Sequence, residues 1–321
     1  MHTLDPAVFD PAAIPDETRA LNASIVALMT PMPEWWDVGA DVFRASRKSG
    51  KGVFPAPVLS PRARDQVIAG PGGPLTLRIL SPAGPSRGVY LHIHGGGWVL
   101  GAADEQDRLL EITADTTGLT AISVEYRLAP EQPFPAGPDD CEAAALWVLE
   151  HLADFGGDRF AIGGESAGAH LATLTLLRLR DRHGGSRCHA ANLTFGAFDI
   201  AQTPSARAAA DERLVLRGLD MRRFGDAFLP GVSPEDRRDP GVSPLYADLS
   251  NLCPAIFTIG TRDPLLDDSL FMQVRWMAAG NAAVLRVYPG AAHGFVAFPS
   301  AQTREWLGDT LGFLKATLDA A

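Results

Sequence analysis

Cysteine is scarce in this chain. Cys141, Cys188 and Cys253 are few, odd in number and widely spaced, which fits reduced thiols better than a disulfide framework. No Cys-His spacing suited to a metal is present, so a metal site is not expected. No uninterrupted apolar stretch approaches membrane-spanning length. The opening Met1-His2-Thr3-Leu4-Asp5-Pro6 also lacks the basic patch and apolar run of an export signal. Positive charge is in deficit: 28 Lys and Arg stand against 38 Asp and Glu, a net charge of −10, which argues against nucleic acid or an anionic membrane surface as a partner. Internal repeats and low-complexity tracts are missing too. These absences point to a soluble, cytoplasmic protein, and its 321 residues suit one α/β domain carrying an elaboration.

Apolar periodicity predicts eight strands, near Asp65–Ala69, Leu75–Leu80, Gly88–His94, Leu119–Glu125, Arg159–Gly163, Asn192–Ala197, Ala255–Gly260 and Ala283–Tyr288. From the third strand onward helical runs intervene, at Glu105–Thr117, Asp139–Leu152, Ala167–Arg180 and Asp267–Ala279, with Thr303–Leu318 after the last strand. Such alternation predicts a mostly parallel sheet flanked by helices on both faces. The first two strands are joined only by Gly70-Pro71-Gly72-Gly73-Pro74, too short for a parallel crossover, and are expected as an antiparallel hairpin at the sheet edge. Two segments fall outside this core of residues 56–198 and 253–321. Residues 1–55 offer helices at Asp16–Met29 and Glu34–Arg47, and residues 199–252 are far more than a crossover helix needs. The two are expected to pack together as a helical cap over the carboxyl ends of the strands, where open α/β sheets bind ligands.

Gly164-Glu165-Ser166-Ala167-Gly168 places a serine between two glycines where a strand meets a helix, the pattern of a nucleophile elbow. The pattern alone is weak in a chain with 32 glycines, and Gly84-Pro85-Ser86-Arg87-Gly88 matches it too. That second match lies in a Pro/Gly-rich turn leading into a strand, so context selects Ser166. Acyl transfer also needs backbone N–H donors for an oxyanion. His94-Gly95-Gly96-Gly97-Trp98 follows directly on the third strand, making Gly95 and Gly96 donor candidates, with Ala167 at the helix start as a third. The general base is expected from His293, in the small-residue loop Gly290-Ala291-Ala292-His293-Gly294 after the last strand. Of the other histidines, His170 is expected to pack beneath the serine's helix and His94 to hold the glycine loop. His92 shares a strand face with His94, so a paired function is conceivable, while His151, His183 and His189 read as surface or turn positions and His2 is terminal. The acid is expected at Asp263, in the loop after the seventh strand. Asp267 and Asp268 compete on proximity but fall at a helix start, where capping explains a carboxylate.

The order Ser166, Asp263, His293 is that of the α/β-hydrolase fold. Taken with Tyr126-Arg127-Leu128-Ala129-Pro130-Glu131, Pro133-Phe134-Pro135-Ala136, Asp263-Pro264-Leu265 and His293-Gly294-Phe295, the chain resembles the hormone-sensitive-lipase-like branch of that superfamily, the bacterial family IV carboxylesterases. The resemblance implies hydrolysis of short- to medium-chain acyl esters without a cofactor, a cap built from N-terminal and inserted segments, and frequent homodimers. Glu165 departs from the aspartate more common in the family at that position, and by itself reads as a helix-start carboxylate. Trp98, beside the glycine loop, and Trp35 and Trp36, in the N-terminal segment, are candidates to line the substrate pocket, with core packing as the alternative role. An amide hydrolase such as an aryl formamidase would use the same constellation. A non-catalytic small-molecule receptor of this fold would typically lack the base that is present here.

Overall fold

The computed structural model describes residues 4–185 and 187–321, so His2 lies outside the described residues. Gly70 and Gly73 pair directly and close a tight hairpin between β1 (Ala63–Gly70) and β2 (Gly73–Leu80), so the two strands run further into the glycine-rich turn than periodicity predicts. The remaining strands are β3 (Gly88–Ile93), β4 (Thr120–Val124), β5 (Arg159–Glu165), β6 (Ala190–Thr194), β7 (Ala255–Gly260) and β8 (Ala283–Tyr288). They form one sheet in the order β1-β2-β4-β3-β5-β6-β7-β8. Pairing is antiparallel at β1/β2 and β2/β4 and parallel from there to β8.

Helices cover both faces because alternate strand residues point to opposite sides. Along β3, Val89, Leu91 and Ile93 join a core with Cys141, Val148, Leu171, Met272 and Trp276, from helices Ala136–Glu150, Ala167–His183 and Leu266–Ala278. Tyr90 between them joins the opposite core with Leu110, Ala114, Leu311 and Leu314, from helices Asp107–Thr117 and Ala301–Ala320. Cys141, Cys188 and Cys253 form no disulfide. Among the described residues no helix is long and apolar enough to cross a membrane.

Several boundaries differ from the periodicity, each for a local reason. The N-terminal helix Asp16–Met29 has the predicted limits, but the run after it breaks into Trp35–Val38 and Ala40–Lys48. The break falls at Gly39, whose φ of 96° and ψ of 145° are open to glycine and incompatible with a helix. β6 stops at Thr194 instead of Ala197, because Phe195 turns the chain with a φ of 35°. The 199–252 stretch carries two short helices, Pro204–Ala208 and Gly218–Phe228, and touches the N-terminal segment repeatedly. Arg213 donates to the carbonyls of Thr30 and Met32, Arg217 pairs with Glu34, and Trp35 stacks on Phe224 with centroids 5.2 Å apart. Asn22 in turn donates to the carbonyl of Gly290, in the loop after β8.

Candidate active site

At the end of β5 the chain turns into helix Ala167–His183 through one residue, Ser166, held at φ 57° and ψ −121°. Such a backbone is costly for a residue with a Cβ and persists only where its surroundings enforce it. The Ser166 N–H donates to the carbonyl of Thr194 on β6 at 3.0 Å. The flanking glycines have a steric cause: a Cβ on Gly164 or Gly168 would lie 2.1 or 1.9 Å from the carbonyl oxygen of Ile93. Ser86 of the competing motif lies before β3, at the opposite end of that strand, where its hydroxyl donates to the Gly88 carbonyl and accepts from Thr120.

His293 reaches across from the loop after β8, and its Nε2 lies 2.9 Å from Ser166 Oγ. Its Nδ1 is 2.8 Å from Asp263 Oδ2, while Asp263 Oδ1 accepts the Leu265 N–H at 2.9 Å. An acceptor at Nδ1 places the imidazole proton there and leaves Nε2 free to accept from the serine hydroxyl. Asp263 has a fully buried side chain, and Phe195 packs against the His293 ring with centroids 4.8 Å apart. The two competing carboxylates are engaged elsewhere. Asp267 accepts the Ser205 N–H, and Asp268 accepts the N–H groups of Phe198 and Asp199 and the Thr203 hydroxyl. Their role is therefore to hold the loop after β6, more than to cap their own helix. Burial pushes the Asp268 carboxyl up to about 7, against the pull of those hydrogen bonds.

The N–H groups of Gly95, Gly96 and Ala167 have no acceptor among the described residues. The glycine loop that carries two of them is shaped by close contacts. A Cβ on Gly96, at φ 120°, would lie 2.1 Å from the Leu100 carbonyl, and one on Gly97 would lie 2.5 Å from the Phe224 ring. His94 Nδ1 contacts the Gly95 carbonyl at 2.8 Å, and its ring stacks on Tyr126 at 4.2 Å. Tyr126 donates its hydroxyl to the His94 carbonyl, and Arg44 donates to the carbonyls of Val99 and Ala129. Neither supporting role is visible in the periodicity. The only signal for Tyr126 is its place in the Tyr126–Glu131 block, and Arg44 has none.

Trp98 borders a cavity beside Ser166, together with Ile200, Leu216, Met221 and Phe224 from the inserted segment and Leu265 from the core. Trp35 and Trp36, the other two tryptophans expected there, do not border it. Trp35 lies behind Phe224, and Trp36 meets Trp35 edge-on with Arg223 over its ring. Phe224 intervenes because its helix, Gly218–Phe228, brings the ring directly against Gly97. Glu165 also departs from expectation: it ends β5 instead of starting the helix, and its side chain is buried against His92 and Gln106. That contact leaves His92 paired with Glu165 and Ser123, not with His94.

His170 accepts the Trp98 indole N–H at Nδ1, 3.1 Å away, and donates from Nε2 to the Val242 carbonyl at 2.7 Å. Burial lowers both His94 and His170 to about 4. Each is therefore neutral in the folded chain, whereas the unfolded chain binds protons below the ordinary value of 6.5. Stability from these groups is complete above 6.5 and is lost as pH falls toward 4, by about 1.4 kcal/mol per group per pH unit. Urea unfolding at about pH 7.5 and about pH 5 should show His170→Gln losing less stability on acidification than the wild type, by about 2 kcal/mol.

A family model described as alpha/beta hydrolase fold matches residues 90–297. Over 252 residues the chain is 33% identical to the carboxylic ester hydrolase LipN of Mycobacterium tuberculosis, spanning 76% of this chain and 67% of that protein. Over 248 residues it is 30% identical to an acetyl esterase of Salmonella paratyphi B, spanning 75% of each. The structure of a hyperthermophilic esterase from the archaeon Pyrobaculum calidifontis aligns with a TM-score of 0.79 at 32% identity, over 87% of this chain and 94% of that one.

Proposed function

As this chain belongs to the α/β-hydrolase family, in its hormone-sensitive-lipase-like carboxylesterase branch, and is a carboxylic ester hydrolase, we propose that it cleaves short- to medium-chain acyl esters through an acyl-enzyme on Ser166. The observation that carries this proposal is the relay from Asp263 through His293 to Ser166, at 2.8 and 2.9 Å, beside three N–H groups with no acceptor among the described residues. Ser166 Oγ attacks the ester carbonyl as its proton passes to His293 Nε2, and the carboxylate of Asp263 stabilises the imidazolium. The carbonyl oxygen gains charge as the tetrahedral intermediate forms, and Gly95, Gly96 and Ala167 donate to it. The imidazolium then protonates the departing alcohol. Water enters, gives its proton to His293, and attacks the acyl carbon to release the acid and regenerate the serine.

Residues 1–55 and 199–252 act together in this proposal as a cap that limits acyl length, with Leu216, Met221 and Phe224 as its inner surface. Removing the Phe224 ring opens space beside the serine. Phe224→Ala should therefore raise kcat/KM for p-nitrophenyl octanoate relative to acetate by about tenfold, as read in an acyl-chain series. Net charge and the scarcity of cysteine favour a cytoplasmic location, and sizing in solution would test for a homodimer. The function itself is tested by labelling with a fluorophosphonate and by comparing p-nitrophenyl butyrate with an aryl formamide. Labelling with preferential ester hydrolysis is expected; an unlabelled protein, or one that prefers the formamide, would overturn the proposal.

A further inference from the structure

We propose that Glu165 is a positioning residue that locks the nucleophile to the oxyanion loop through a buried side-chain bridge to β3. Its Oε2 lies 3.0 Å from His92 Nε2 and 3.0 Å from Gln106 Nε2, and His92 Nδ1 lies 2.9 Å from Ser123 Oγ on β4. A carboxyl acceptor places the His92 proton on Nε2, so Nδ1 accepts the Ser123 hydroxyl. The chain Gln106, Glu165, His92, Ser123 thus ties the last residue of β5 to β3 and β4 inside the core, where Glu165 and His92 are 5% and 1% exposed.

The anchored ends are the ones that carry the chemistry. Glu165 immediately precedes Ser166, and His92 lies two residues before the loop that starts at His94. The backbone of Glu165 also touches that loop, since a Cβ added to Gly95 would lie 2.7 Å from the Glu165 carbonyl oxygen. Rotation of Glu165 therefore shifts Ser166 Oγ relative to the Gly95 and Gly96 N–H groups. Such a shift costs little in substrate binding and much in the transition state, because the oxyanion forms only after attack. Side-chain length is set by the span: an aspartate would withdraw the carboxyl by one methylene from both His92 and Gln106. A glutamine fits, because its amide oxygen can accept from both while its amide nitrogen replaces Oε1, which accepts from no donor among the described residues.

The inference rests on Ser166 being the nucleophile, and the experiment separates the two claims. Wild type, Glu165→Ala, Glu165→Asp, Glu165→Gln, His92→Ala and the double variant Glu165→Ala/His92→Ala are titrated with a fluorophosphonate, so that rates refer to folded, labelled sites only. Expected for p-nitrophenyl butyrate are a kcat about 10- to 100-fold lower in Glu165→Ala at unchanged KM, a smaller loss in Glu165→Asp, and recovery to within about threefold of wild type in Glu165→Gln. The double variant should be no slower than the slower single variant, since both break the same bridge. If Glu165→Ala does not fold, the contrast between Glu165→Asp and Glu165→Gln carries the test. The proposal is overturned by wild-type kcat in Glu165→Ala, by losses that appear in KM, by losses that multiply in the double variant, or by a glutamine no better than aspartate. A wild type that is not labelled would instead overturn the serine mechanism.

Discussion

Ser166→Ala is expected to lower kcat for p-nitrophenyl butyrate by about five to six orders of magnitude and to abolish fluorophosphonate labelling, with thermal unfolding close to that of the wild type. The size of the loss follows from what the hydroxyl does: among the described residues no other nucleophile lies at the end of the His293 relay, so water must attack without a covalent intermediate. Some rate above the uncatalysed reaction should remain, because the Gly95, Gly96 and Ala167 N–H groups still stabilise the oxyanion. The fold should tolerate the change, since among the described residues the Ser166 side chain is bonded only to His293 and its strained backbone is held by Gly164, Gly168 and the Thr194 carbonyl. A loss smaller than about tenfold would move the nucleophile elsewhere.

Asp263→Asn is expected to lower kcat by about four orders of magnitude while leaving the site packed. The asparagine oxygen can keep the Leu265 N–H that Asp263 Oδ1 accepts at 2.9 Å. Its amide nitrogen then faces His293 Nδ1 as a donor, which drives the imidazole proton to Nε2 and leaves nothing to accept from Ser166. Steady-state kinetics with p-nitrophenyl butyrate and the rate of fluorophosphonate labelling should fall by similar factors, because both need the serine activated. A variant within tenfold of wild type would reassign the acid. Asp267 and Asp268 are poorly placed to take over, being held by Ser205 and by Phe198, Asp199 and Thr203.

Local pattern in the sequence carried much of this architecture. Alternation of strand and helix runs forecast the eight-stranded mixed sheet, because burying a parallel sheet on both faces imposes that rhythm on the chain. The elbow was legible for a similar reason: a serine forced to φ 57° beneath the Ile93 carbonyl leaves room only for glycine two residues either side. Asp263 and His293 could be placed on loops at the same end of the sheet from strand order alone. The pocket was less legible. Trp35 and Trp36 have the composition of a pocket wall, yet whether a ring faces substrate or backs another ring depends on helix placement to within one side-chain layer, and Phe224 occupies the inner layer.

By itself, then, the sequence determined the fold class, the elbow and the loops that carry the proposed nucleophile, acid and base, because each is a short-range demand on backbone conformation or strand order. Only the tertiary structure decided which side chains meet. It directed Glu165 inward to His92 and committed Asp267 and Asp268 to the loop after β6. It also brought Tyr126 and Arg44 under the glycine loop. Those contacts join residues far apart in the chain, and local periodicity carries no information about partners that approach only when the sheet and its helices pack.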